Sequence, residues 1–162
     1  MRKAILTLSP IAVLIVSFAL SAQTDETPWF PKEFRKWAHV KSVLVGPQSV
    51  AFATEGGIHH IYANDKALEG YDSGKFPDGS VIVYDLLETK EVAGNTIEGQ
   101  TRRVDVMVKQ SERYASTGGW EFMSFPGTDQ TNGKMTAARQ STCAGCHSRK
   151  KDHDSVFSEF RK

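Results

Sequence analysis

The middle of the chain carries short runs rich in valine, isoleucine and aromatic residues, each closed by glycine, proline, asparagine or aspartate. Such runs predict strands at Val40–Val45, Ile58–Ala63, Ser80–Glu88, Arg102–Lys109 and Trp120–Phe125. Val92–Ile97 reads as an edge strand, with Gly94-Asn95 as a turn or bulge. Helical spacing of three and four joins Phe34, Trp37 and Ala38 and predicts a helix over Lys32–Ala38. Asn64 is a good N-cap and Gly74 a natural stop for a helix over Asp65–Ser73. Further helices are expected at Gln110–Ser116, Met135–His147 and Asp154–Phe160, with a glycine-rich loop over Pro126–Lys134. Strands in the middle and helices at the ends predict an α+β fold, a mostly antiparallel sheet with flanking helices.

The two-residue period of a strand sorts these side chains onto faces. Val104, Val106 and Val108 share one face and Arg103, Asp105 and Met107 the other. Ile82, Tyr84 and Leu86 oppose Val81, Val83, Asp85 and Leu87. His59, Ile61 and Ala63 oppose Ile58, His60 and Tyr62. One self-consistent arrangement gathers His59, Ile61, Ile82, Tyr84, Leu86, Asp105 and Met107 around one largely apolar cavity, as a small-ligand site requires. The blander alternative leaves His59 at the surface or in the core, Tyr84 as a core tyrosine and Asp105 in solvent. His39 and His153 read as surface residues, and Trp29, Trp37 and Trp120 as packing residues.

The composition is that of an ordinary folded domain: 162 residues, 40% hydrophobic and 24% charged. A net charge of +1 without a basic block gives no sign of a nucleic-acid surface. Met1-Arg2-Lys3, an apolar run to Leu20 and small residues at Ser21 and Ala22 predict a cleavable signal peptide over residues 1–22. The run is short for a bilayer span and contains Pro10. Residues 23–162 would then form one exported, periplasmic domain.

Both cysteines lie in Cys143-Ala144-Gly145-Cys146-His147, the C-x-x-C-H attachment sequence for c-type haem. Two thiols at this spacing can reach the two vinyl groups on one porphyrin edge, and the adjacent imidazole can then ligate the iron. A thioredoxin-like dithiol would want a βαβ context, and structural zinc a second ligand pair. No methionine follows His147, although Met107, Met123 and Met135 precede it. Without a strong sixth ligand the iron would keep an open position for a small molecule.

The chain resembles the cytochrome P460 and cytochrome c′-β family. The likeness runs through Phe34-Arg35-Lys36-Trp37, Gly57–Asn64, Gly74–Gly79, Val106–Lys109, Gly118–Phe122, the haem motif and Lys151–Ser158. It implies a periplasmic mono-haem c protein, commonly a homodimer, with five-coordinate iron, His147 as proximal ligand and a haem-binding helix near the C-terminus. Cytochromes P460 oxidise hydroxylamine and NO and carry a lysine bonded to the haem; c′-β members lack that bond and bind NO and other gases. In this chain the lysine position falls on Tyr84, so the lysine-type chromophore is not expected. The same matching puts Asp105 and His59 at distal polar positions.

The resulting expectation is a haem c protein, one haem per chain, that binds or oxidises NO or hydroxylamine and exchanges electrons with a periplasmic partner. Cys143, Cys146 and His147 would hold the haem, and Asp105, His59 and Tyr84 would serve the ligand. A Tyr84–porphyrin bond is a minor variant. The alternatives are a non-catalytic gas carrier and an electron-transfer cytochrome with Met107 or His59 as a sixth ligand.

Overall fold

A computed structural model describes residues 29–161. The expected signal peptide lies outside the described residues. Five strands form one antiparallel sheet in chain order: β1 (Ala38–Val45), β2 (Gly57–Ala63), β3 (Val81–Val92), β4 (Asn95–Lys109) and β5 (Trp120–Pro126). Three α-helices accompany it: α1 (Phe52–Glu55), α2 (Asp65–Ser73) and α3 (Ala137–His147). The fold is therefore α+β, with α3 near the C-terminus.

Both faces of the sheet's centre are covered, so β3 is buried almost without a break from Val81 to Leu87, while the hairpin beyond it is exposed. On one side Val40, Ile61, Ala63, Phe76, Ile82, Trp120 and Phe122 pack with Ala67 of α2 and Val156 of the C-terminal tail. Cys143 and Ala144 of α3 pack against that cluster. On the other side Phe34 packs with Val81, Val83, Val104, Val106 and Phe125. The N-cap of α2 works as predicted and does more. Asn64 Oδ1 accepts from Ala67 N and from Val81 N, both at 3.0 Å, which ties the helix start to the first residue of β3.

The structure corrects several expected elements. Val92–Ile97 is not an edge strand. It is the tip of a long β3–β4 hairpin, where Ala93 (φ 49°) and Gly94 (φ 78°) form the tight turn. Asp154–Phe160 is not helical, because Asp154 (φ 47°) and Ser155 (φ 65°) are left-handed and end the 3-10 turns over Ser148–His153. Lys32–Ala38 shrinks to one 3-10 turn at Phe34–Lys36, with Ala38 already in β1. Gln110–Ser116 shrinks likewise to Ala115–Thr117. Trp29, expected to pack, is 53% exposed, whereas Trp120 is fully buried. The one-turn helix α1 was not foreseen, since four residues are too few to show a helical period.

Candidate functional site

A cavity of about 520 Å³ lies between the sheet and α3 with the tail behind it. Its volume falls in the range of small-ligand and cofactor sites. The sheet contributes His59 and Ile61 from β2, Ile82 and Tyr84 from β3, and Asp105 and Met107 from β4. These are six of the seven residues that strand periodicity had gathered. The seventh, Leu86, does not line the cavity: it is fully buried beneath the backbone at Gly57. The opposite wall brings Cys143, Cys146 and His147 from α3, with Phe157 from the tail. All six residues expected to serve the site thus meet in one space.

The register explains the meeting. His59 pairs with Leu86 across β2–β3, Ile61 with Tyr84, and Tyr84 with Asp105 across β3–β4. Neighbouring strands in register point such partners to the same face. A continuous chain of polar contacts follows. The Tyr84 hydroxyl donates to Glu55 Oε2 at 2.8 Å and lies 2.9 Å from His59 Nδ1. A phenol has one hydrogen, and it goes to the carboxylate, so His59 Nδ1–H is the donor to the phenol oxygen. The Nε2 lone pair of His59 is then available. Arg103 donates from Nη2 to Glu55 Oε2 and from Nε to Asp105 Oδ2, both at 2.7 Å, and Ser124 donates to Asp105 Oδ1 at 2.5 Å.

Burial dominates the electrostatics of these contacts. It lowers the pKa of the His59 imidazole, although the Glu55 charge opposes it. It raises the Asp105 carboxyl, against the pull of Arg103 and the Ser124 hydrogen bond. Tyr84 is pushed far above the ordinary phenol range, first by burial and then by the Glu55 carboxylate that accepts its proton.

The α3 wall is equally fixed. Thr136 caps α3, its side chain accepting from Arg139 N at 3.3 Å. Gln140 then clamps the helix to β5: its amide accepts from Phe122 N at 2.9 Å and donates to Phe122 O at 2.8 Å. Cys143 and Cys146 are one turn apart and unbridged. The His147 ring is held edge-on between Phe122 and Phe157, with centroids 5.1 Å away in each case. Its Nδ1 donates to the Ser155 carbonyl at 2.8 Å, which fixes the tautomer and leaves the Nε2 lone pair for a ligand bond.

The Cytochrome P460 family model matches residues 31–158. The chain belongs to the cytochrome P460 family. No curated protein matches it. Membership implies a haem cofactor, and the wall just described fits one. Two free thiols and a histidine with an oriented Nε2 line a cavity that is large enough and mainly apolar at the sheet. A zinc reading fits less well. Among the described residues no group of three or more His, Cys, Asp and Glu is placed to hold a metal ion.

In this P460 family member the sequence-derived site was incomplete. Glu55 is the main omission, because it comes from α1, which has no periodic signal. Arg103 was visible on the right face but without a role. Met107, Met123 and Met135 all line the cavity. Lys90 pairs with Ile97 near the hairpin tip and does not line it. His39 is exposed as expected, while His153 is half-buried against Phe76.

Proposed function

We propose that this chain is an exported haem c protein that binds a small nitrogen compound, hydroxylamine or NO, and oxidises it. One haem per chain would be joined through Cys143 and Cys146, with His147 Nε2 on the iron. The observation that carries the reading is that the Cys143–Cys146–His147 wall and the His59–Tyr84–Glu55–Arg103–Asp105 run line one cavity. Bound haem would supply the metal position for the nitrogen ligand and accept its electrons, which a periplasmic carrier would remove.

The chain's own residues would do the rest. Ile61, Ile82 and Phe122 keep water from the ligand and favour a small, uncharged one. Oxidising hydroxylamine releases protons as well as electrons, so acceptors must stand nearby. His59, kept neutral by burial, can take one at Nε2. Its Nδ1–H meets Tyr84, whose hydroxyl meets Glu55, one third exposed, so a path to solvent runs along hydrogen bonds already made. Asp105 offers a second, more basic carboxylate. Arg103 holds both carboxylates in position. Binding a gas without turnover would not require this path for protons to solvent.

The test is the optical spectrum of the matured protein, ferric and ferrous, followed by hydroxylamine with an electron acceptor. Ligand-dependent spectral change with acceptor reduction is expected. Reversible NO binding without acceptor reduction would make the protein a carrier. A low-spin resting spectrum would instead put Met107 or His59 on the iron. Mass spectrometry of wild type and Tyr84→Phe separates two thioethers from any further link.

A further inference from the structure

We infer that Lys41 binds a haem propionate and so holds the edge of the cofactor opposite its thioether bonds, an assignment that rests on the haem c reading above. The site begins with an irregularity in β1. His39 pairs with Tyr62 and Lys41 with Ile61, so Val40 is an extra residue, a β-bulge. Consecutive residues of a regular strand point to opposite faces. Here both point the same way: Val40 packs with Ile61 in the core cluster, and Lys41 lines the cavity. Without the bulge one of the two would fall on the far face of the sheet.

Lys41 ends a row of register partners that crosses the sheet from Asp105 through Tyr84 and Ile61. The cavity runs the same way, from Phe122 on β5 to Lys41 and Val43 on β1. β1 and β5 are the two edges of the sheet, and Gln140 clamps α3 to β5. Lys41 therefore stands at the end of the cavity away from the strand that carries the thiol wall.

Haem has its vinyl groups on one edge and its two propionates on the opposite one. Thioether bonds to Cys143 and Cys146 would keep the vinyl edge at α3 and turn the propionates toward β1. A carboxylate there is best met by a cation. Among the described residues Lys41, Arg103 and Arg139 are the lysines and arginines that line the cavity. Arg103 is already engaged by Glu55 and Asp105. Arg139 lies on α3, four residues before Cys143, and so on the thiol side. Lys41 makes no hydrogen bond or ion pair among the described residues. It is exposed, and its flexible stem lets the ammonium meet a carboxylate without moving the strand.

The matured protein would be compared with Lys41→Gln and Lys41→Arg by resonance Raman spectroscopy and by redox titration, well above the carboxylate range so that the propionates stay ionised. In Lys41→Gln the propionate bending band should shift, and the midpoint potential should fall because losing a positive charge favours ferric over ferrous iron. Lys41→Arg keeps the charge and should hold the potential near wild type. Lys90→Gln removes a lysine near the hairpin tip, away from the cavity, and should leave band and potential unchanged. Added salt should narrow the gap between wild type and Lys41→Gln, since an exposed pair is screened. A Lys41→Gln protein with the wild-type band and potential, or a fall in potential matched by Lys90→Gln, would overturn the assignment and leave the haem c reading standing. Covalent haem is counted in each protein by its pyridine haemochrome. Wild type without it would overturn both.

Discussion

The Tyr84 hydroxyl and the Glu55 carboxylate are 2.8 Å apart, and the oxygen that receives the phenol proton also receives Arg103 at 2.7 Å. A residue from a one-turn helix thereby links a run of polar contacts whose other members, His59, Tyr84, Arg103 and Asp105, come from three strands. It also keeps Tyr84 protonated, because ionising the phenol beside that carboxylate would set two anions together. Glu55→Gln removes this repulsion. The Tyr84 pKa should fall toward the ordinary phenol value, as read by the tyrosine ring-carbon shift against pH. Oxidation of hydroxylamine should slow by about 10²-fold, the low end of what a positioned proton acceptor contributes. An unmoved Tyr84 titration would assign the whole shift to burial.

The tail behind His147 depends on a second charge pair. Lys109 Nζ donates to Asp154 Oδ1 at 2.7 Å and to the Gly118 carbonyl at 3.1 Å, with the lysine side chain only 7% exposed. Asp154 Oδ2 accepts from Phe76 N at 2.9 Å, and its carbonyl accepts from Trp120 Nε1 at 2.8 Å. Next to it stands Ser155, whose carbonyl orients His147. Asp154→Ala leaves a buried ammonium without a counter-charge and should cost about 3–5 kcal/mol in denaturant unfolding. Glu33→Ala breaks an exposed pair with Lys36 and should cost less than about 1 kcal/mol. Equal effects would refute the burial argument.

Strand faces were readable because a period of two survives wherever one face meets a core. That period sorted His59, Tyr84 and Asp105 within their own strands; that the three share one face also needed the strand register, which only the family matching favoured in advance. The haem wall was readable because its chemistry fixes a spacing. Glu55 was not readable, since a single helical turn leaves no repeat. The tail was misjudged as helix because Asp154 and Ser155 carry no glycine to announce left-handed backbone. There tertiary hydrogen bonds from Phe76, Lys109 and Trp120 hold the conformation. The bulge at Val40 was hidden for a related reason: nothing in Ala38–Val45 marks one residue as extra.

Gln140 is a purely structural residue whose loss should be felt at the site. β5 is an edge strand, and at Phe122 the Gln140 amide satisfies both free backbone groups. Two hydrogen bonds at about 1 kcal/mol each put the cost of Gln140→Ala near 2 kcal/mol by urea unfolding. Gln140→Glu keeps an acceptor for Phe122 N but cannot donate to Phe122 O while ionised, so it should fall between wild type and alanine. A neutral alanine variant would mean that the Phe122 contacts to His147 suffice to seat α3.

His59 and Asp105 make opposite and separable contributions to stability against pH. The folded pKa of His59 lies below 6.5, so above pH 6.5 both folded and unfolded states are neutral and the folded state is unpenalised. As pH falls below 6.5, the unfolded chain takes up the proton first and stability is lost. The folded pKa of Asp105 lies above 3.8, so the folded state holds its proton longer. Its penalty is absent in strong acid and grows as pH rises from 3.8 through the folded value. His59→Gln should therefore lose less stability than wild type just below pH 6.5, and Asp105→Asn should lose less on going upward from pH 3.8. Urea midpoints of the mature protein across both windows test this. Wild-type slopes in both variants would show that neither group is as desolvated as its place in the cavity requires, and the proton path through Tyr84 and Glu55 would lose its entry point.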